Sequence, residues 1–203
     1  MSVITISRQF GAGGKTLGEK VSAQLGYEFF DNELIQLTSI KAKVSADSVD
    51  ALEKESHGVF RSFLSGVVPR NLRDILLERS SKDIEEDVYV DLLSQIITEI
   101  ANDGNAVIIG RGSQYTLKNR KDTLHVLVAG QIADRIEFIR NKYNLLQHQA
   151  VEAVARDDRR RANLYHKFGI TDYDSPHNYH LVLNMSKVDM ETACELVLEL
   201  ANS

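Results

Sequence analysis

The stretch Ile4-Thr5-Ile6-Ser7-Arg8-Gln9-Phe10-Gly11-Ala12-Gly13-Gly14-Lys15-Thr16 constrains the fold of this chain more than any other. A β-branched apolar run stops at a polar pair and passes three glycines within four residues. It then enters an amphipathic segment headed by Lys15 and Thr16. The order is strand, glycine loop, helix. Glycines let amide N–H groups turn inward and approach an anion closely, and a helix N-terminus adds unpaired donors and a partial positive charge. A lysine beside the loop can neutralise distal phosphates, and a hydroxyl can face Mg²⁺. Gly11, Ala12, Gly13, Gly14, Lys15 and Thr16 therefore form a candidate phosphate site, with Thr16 as its metal-facing residue.

The phosphate-loop pattern G-x-x-x-x-G-K-[ST] fits at Gly14-Lys15-Thr16, with Gln9 in place of its first glycine. Read one residue earlier, Gly13 takes the second glycine and Gly14 stands where lysine belongs. Either register departs from the consensus, and a glycine turn that binds nothing is the alternative.

A chain of 203 residues can bury one sizeable core. Its net charge of −5 argues against nucleic-acid binding driven by the whole surface. The single cysteine, Cys194, excludes an intrachain disulfide framework and fits a reducing compartment. It lies among Ala193, Leu196, Val197 and Leu200, a helical apolar pattern, and reads as a small core residue. No basic segment followed by an apolar one opens the chain, and no apolar run reaches membrane-spanning length. The expectation is a cytoplasmic protein without membrane or nucleic-acid partners.

Short β-rich runs at 3–6, 28–30, 106–109, 124–128 and 180–184 alternate with helical patterns, which predicts a parallel α/β sheet. The helix after the loop carries Leu17, Val21 and Leu25 and should stop at Gly26. Between 32 and 102 there is little strand signal. Helices are expected near 32–40, over 47–57, further on to Ser80, and across 83–101 before Gly104. The chain thus reads as one α/β domain over 1–203, with a helical insertion at 32–102 too long for a simple crossover. Apolar Val59, Phe60, Phe63, Leu64 and Val67 suit either a substrate pocket or a homodimer surface.

Three further places carry chemistry. Asp31 follows a buried-type strand, at the edge where α/β proteins hold ligands. It positions an acceptor or reaches Mg²⁺ through water, or caps the next helix, and one residue can do both. Arg111, in Ile109-Gly110-Arg111-Gly112, either grips an anionic acceptor bidentately or is a surface arginine in a tight turn. The run Arg156-Asp157-Asp158-Arg159-Arg160-Arg161 reads as a solvated, salt-bridged helix or as a mobile lid. As a lid, its Arg156, Arg160 and Arg161 would close over a transferring phosphoryl group, and the irregular stretch at 165–169 would follow. The six histidines show no metal-ligand spacing.

Taken in order, these pieces resemble the cytidylate kinase-like family, a branch of the P-loop nucleoside monophosphate kinases. The resemblance rests on Ile4 to Arg8 leading into Gly11-Ala12-Gly13-Gly14, and on Phe30-Asp31-x-Glu33-Leu34-Ile35. It continues through Val107 to Gly112, the run at 156–161, and Tyr179-x-Leu181-Val182-Leu183-Asn184. It implies a three-layer P-loop kinase-like fold: a five-stranded parallel sheet flanked by helices, an acceptor-binding helical insertion at 32–102 and a lid at about 155–170. The implied activity is transfer of the γ-phosphoryl of ATP, with Mg²⁺, to a nucleoside monophosphate or similar small anionic acceptor. Arg8, Asp31 and Arg111 would bind that acceptor, while Lys15, Arg156, Arg160 and Arg161 would act on the phosphoryl group.

Some positions depart from true cytidylate kinases. Their loop resembles G-x-x-x-x-G-K-G-T, whereas Arg8 stands here at the first glycine and Lys15 follows the usual lysine position by one. Their D-G-R-D turn has lost both aspartates, at Ile109 and Gly112. Their lid pattern of Arg, Asp and Arg falls on Arg156, Arg160 and Asn163. Two other readings remain: a nucleotide-binding regulatory protein with little catalysis, and a structural module that uses its helical insertion as an interaction surface.

Overall fold

The computed structural model describes residues 1–31 and 86–203. Five parallel strands form one sheet: β1 (Val3–Arg8), β2 (Glu28–Phe30), β3 (Ala106–Ile109), β4 (Thr123–Ala129) and β5 (Leu181–Asn184), in the order β2-β3-β1-β4-β5. From β1 the chain runs outward to β2, returns through β3 and crosses to β4 and β5 on the other side. That reversal opens a crevice at the carboxyl ends of the central strands, the usual ligand position in open α/β sheets. The strands expected at 28–30 and 106–109 match. β1 runs two residues further than expected, because Ser7 and Arg8 keep pairing with Leu127 and Val128 of β4.

Strand side chains alternate between two buried faces. On one face Ile4 and Ile6 of β1, Val107 and Ile109 of β3, and Leu124, Val126 and Val128 of β4 form the core. Helices α1 (Gly14–Leu25) and α6 (Met190–Asn202) cover it with Leu17, Val21, Ala193 and Val197, and with Cys194, which is buried as expected. α1 ends where the sequence indicates: Gly26 is left-handed, and its N–H donates to Ser22 O.

On the other face Val3, Phe30, Ala106 and Ile108 meet α2 (Glu86–Asp103) through Leu93, Ile96, Ile97 and Ile100. Their spacing is one helical stripe. The 32–102 stretch therefore ends in a helix that covers the sheet, while the helices expected nearer its start lie outside the described residues. A short helix, α3 (Ser113–Thr116), follows β3. Two longer ones, α4 (Ile132–Tyr143) and α5 (Gln147–Lys167), pack on each other through Ile139, Ala150 and Val154. α5 continues through 165–167, where an irregular stretch is expected, because Tyr165 is buried and its ring packs edge-on against Tyr115. Among the described residues no helix is long and apolar enough to cross a membrane.

One buried polar pair has a measurable consequence. His125 Nδ1 lies 2.7 Å from Thr5 Oγ1, and its ring stacks on His180 at 5.1 Å. The His125 amide donates to His180 Nδ1 at 2.9 Å. Burial pushes the His125 imidazole down to about 4, and His180 pushes the same way. The folded ring is neutral at a pH where the unfolded one takes a proton. Stability should therefore fall as pH drops from about 6.5 toward 4, by up to about 3 kcal/mol. Urea midpoints measured across that window check this, and His125→Gln should flatten the slope.

Candidate functional site

The loop after β1 is shaped by backbone. Gln9 N donates to Val128 O at 2.9 Å, and Ala12 N returns to Gln9 O at 3.1 Å. Gly11 and Gly13 both adopt φ +85°, which L side chains rarely tolerate. The first intrahelical bond runs from Leu17 N to Gly13 O, so the amides of Gly14, Lys15 and Thr16 lie ahead of it. No side chain caps this helix start. A cradle with amide donors at a helix N-terminus suits a phosphate chain. Ala12 contributes backbone alone, since its methyl is buried in the core.

The loop forms one wall of a cleft of about 290 Å³. Thr16 lines it, as do Arg8 at the end of β1, Asp31 after β2 and Arg111 after β3. From the helices come Lys142 and Tyr143 of α4, and Asp157, Arg160, Arg161 and Leu164 of α5. The α5 residues recur at one-face spacing. Arg156 sits roughly 90° from the centre of that face at about 100° per residue. It is 73% exposed, pairs with Asp157 at 3.5 Å, and does not line the cleft. Arg156 thus stands apart from Arg160 and Arg161, contrary to expectation, because the helical repeat turns it outward.

Charge is concentrated here. Six cationic side chains line the cleft against two carboxylates among the described residues, on a chain of net charge −5. Such a patch draws anions to one place. Lys15 Nζ meets Asp31 Oδ2 at 2.7 Å, with the side chains 49% and 17% exposed. Burial lowers the Arg8 guanidinium to about 10; Arg161 and Arg111 add to this, and Tyr165 and Asp31 oppose it. An entering anion would relieve that crowding of like charges. Asp31 follows its strand into the cleft and pairs there with the loop lysine.

Arg111 is placed by an unusual turn. Gly110, Arg111 and Gly112 all have positive φ, of 68°, 58° and 73°. A non-glycine residue pays about 1–2 kcal/mol for this conformation. A Cβ on Gly112 would fall 2.6 Å from the Phe168 ring, so the turn is pressed against the end of α5. Arg111 is 7% exposed and still lines the cleft. It is no surface arginine.

The profile of the cytidylate kinase-like family matches residues 3–187. The chain belongs to the cytidylate kinase-like family. Its fold is the P-loop kinase fold: a shikimate kinase from Bacteroides thetaiotaomicron superposes with a TM-score of 0.54 at 14% identity, covering 100% of this chain and 99% of that one. An uncharacterized protein from Eubacterium ventriosum superposes with a TM-score of 0.68 at 16% identity, over 100% and 99% of the two chains. A uronate isomerase from Corynebacterium glutamicum is 29% identical over 103 residues, which are 51% of this chain and 20% of that one. The chain thus spans about a fifth of that curated relative's length.

Against the cytidylate kinase-like pattern, both lost aspartates have structural counterparts. Ile109 is fully buried in the core, where a carboxylate would lose its hydration, and a side chain at Gly112 would run into the Phe168 ring. Sequence reasoning missed other residues of the site. Arg135 of α4 is buried, donates through Nη1 to both oxygens of Asp158 at 3.0 Å, and reaches Phe10 O at 3.2 Å. It ties the loop to α5. Asp174, Tyr173 and Ser7 surround Arg161. Only Tyr165, four residues after Arg161 on one helix, had a local signal; the others meet across long separations.

Proposed function

We propose that this chain is an ATP-dependent phosphotransferase acting on a nucleoside monophosphate or a similar small anionic acceptor. The observation that carries the reading is a glycine cradle at a helix N-terminus, opening onto a cleft where Arg8, Arg111 and Arg161 converge. Amides of Gly11 to Lys15 hold the donor phosphates. Lys15 leaves Asp31 to pair with the β- and γ-oxygens. Arg160 and Arg161 stabilise charge on the transferring group, while Arg8 and Arg111 hold the acceptor's anionic end and Asp31 orients it. Phosphoryl transfer is mostly positioning and charge stabilisation, so no covalent nucleophile is needed.

Mg²⁺ fits this donor set. Thr16 and Asp31 both line the cleft, so the Thr16 hydroxyl would face the ion and Asp31 would reach it through water. The ion would supply positive charge against the phosphates. CMP itself is disfavoured as acceptor, because the positions matching the family's aspartates are Ile109 and Gly112.

The same two positions favour a second reading, a nucleotide-binding regulator with little or no catalysis. Incubation of the protein with ATP and Mg²⁺ against a panel of nucleoside monophosphates and free nucleosides decides between them. Chromatography should find ADP together with one phosphorylated acceptor. Nucleotide binding without turnover on any acceptor supports the regulator. Absence of nucleotide binding sinks both.

A further inference from the structure

In the register that matches Lys15 to the consensus lysine, Gln9 takes the place of the first glycine, and both polar atoms of its side chain are engaged. Its Oε1 accepts from Gly130 N at 3.1 Å, and its Nε2 donates to Asp174 Oδ2 at 3.2 Å. The same carboxylate takes both terminal nitrogens of Arg161, Nη1 on Oδ2 at 3.0 Å and Nη2 on Oδ1. Arg161 Nη2 also donates to Ser7 Oγ at 3.0 Å, and Ser7 Oγ lies 2.9 Å from Tyr165 OH. The guanidinium sits 4.9 Å from the Tyr165 ring centre and 5.1 Å from that of Tyr173. Tyr173 is itself pinned, its carbonyl accepting from Tyr115 and Tyr179 hydroxyls at 3.0 and 2.7 Å. Arg161 is therefore 11% exposed and yet lines the cleft. Its Nε–H has no hydrogen-bond partner among the described residues.

We propose that Gln9 and Asp174 are positioning residues that brace Arg161 against the phosphate loop, so that its guanidinium is set in place before nucleotide arrives. The inference rests on the phosphotransferase reading of the cleft. A long side chain that must be ordered during the reaction spends part of its interaction on lost rotamer freedom. One fixed beforehand stabilises developing charge without reorganisation. The bidentate carboxylate takes some of the positive charge but sets the plane of the fork. The Gln9 side chain hooks that carboxylate to the first residue of the loop and hooks the loop to Gly130. A glycine at position 9 would match the loop consensus better and would remove the brace.

The test needs no knowledge of the acceptor. Wild type, Gln9→Gly and Asp174→Asn are titrated calorimetrically with Mg·ADP, alone and with aluminium fluoride, a mimic of the transferring phosphoryl group. Melting temperatures are followed by circular dichroism. Both variants should bind Mg·ADP like wild type and lose about tenfold or more of the affinity gained with fluoride. Asp174→Glu should recover part of it. The proposal falls if the variants keep the wild-type gain, if they lose Mg·ADP affinity equally, or if wild type gains nothing from fluoride. Should Asp174→Asn fail to fold, Gln9→Gly decides alone, since it leaves the Arg161–Asp174 pair in place and removes only the two side-chain hydrogen bonds of Gln9. A wild type that does not bind Mg·ADP at all overturns the phosphotransferase reading, and this inference with it.

Discussion

Replacing Lys15 with alanine is expected to abolish most phosphoryl transfer and leave the fold nearly as stable as before. The Lys15 side chain is half exposed and pairs with Asp31 at 2.7 Å. Exposed pairs of this kind contribute about 0–1 kcal/mol. In the proposed reaction the same ammonium would face charge building on the β- and γ-phosphates, where one preorganised donor is worth about a hundredfold in turnover or more. The two effects differ by enough to separate. Chromatographic ADP production, read beside a urea melt of the same preparation, checks it. Parallel loss of folding and turnover would show that Lys15 serves the structure and not the chemistry.

Gly11→Ala should be strongly destabilising, and Gly13→Ala milder. Both glycines have φ +85°, so both alanines carry backbone strain. What differs is the surroundings. A Cβ at Gly11 would lie 2.7 Å from Arg135 O and 3.1 Å from Arg135 Cβ and Ile139 Cγ1. That carbonyl belongs to α4 and cannot move alone. At Gly13 the near atom is Met190 Cε at 3.1 Å, the flexible end of a side chain. Expected losses are about 3 kcal/mol for Gly11→Ala and about 1–2 kcal/mol for Gly13→Ala. Denaturant midpoints would measure both. Equal losses would mean that α4 yields to the loop as easily as a methionine does.

Much of the fold was legible because its signals are local. Strands at 28–30 and 106–109 are short, rich in aromatic or β-branched residues and followed by a polar residue or glycine, and β3 and β2 pair in the expected parallel sense. The spacing of Ile96, Ile97 and Ile100 marks a helix by itself, while only the structure adds Leu93 to that stripe. The end of β1 was not legible. Ser7 and Arg8 look like the start of a loop, yet Ser7 is buried by Tyr165 and Arg161, which lie more than 150 residues away in sequence. The end of α5 was hidden for the same reason: Tyr165 holds the last turn through contacts outside the helix.

The candidate site divides along the same line. By itself, the sequence determined that a glycine loop between a strand and a helix would present amide donors, because loop shape depends on adjacent residues. It also determined that Asp31 and Arg111 would end their strands at one edge, since parallel strands bring their carboxyl ends together. Only the tertiary structure decided which arginines face the cleft. The 100° helical step puts Arg160 and Arg161 inside and Arg156 outside, but only the packing of α5 on α4 and the sheet selects the face. It likewise decided the partners of Gln9, Arg135 and Arg161. A hydrogen bond between Gln9 and Asp174 spans 165 residues of chain and needs the whole sheet in register before the two groups meet.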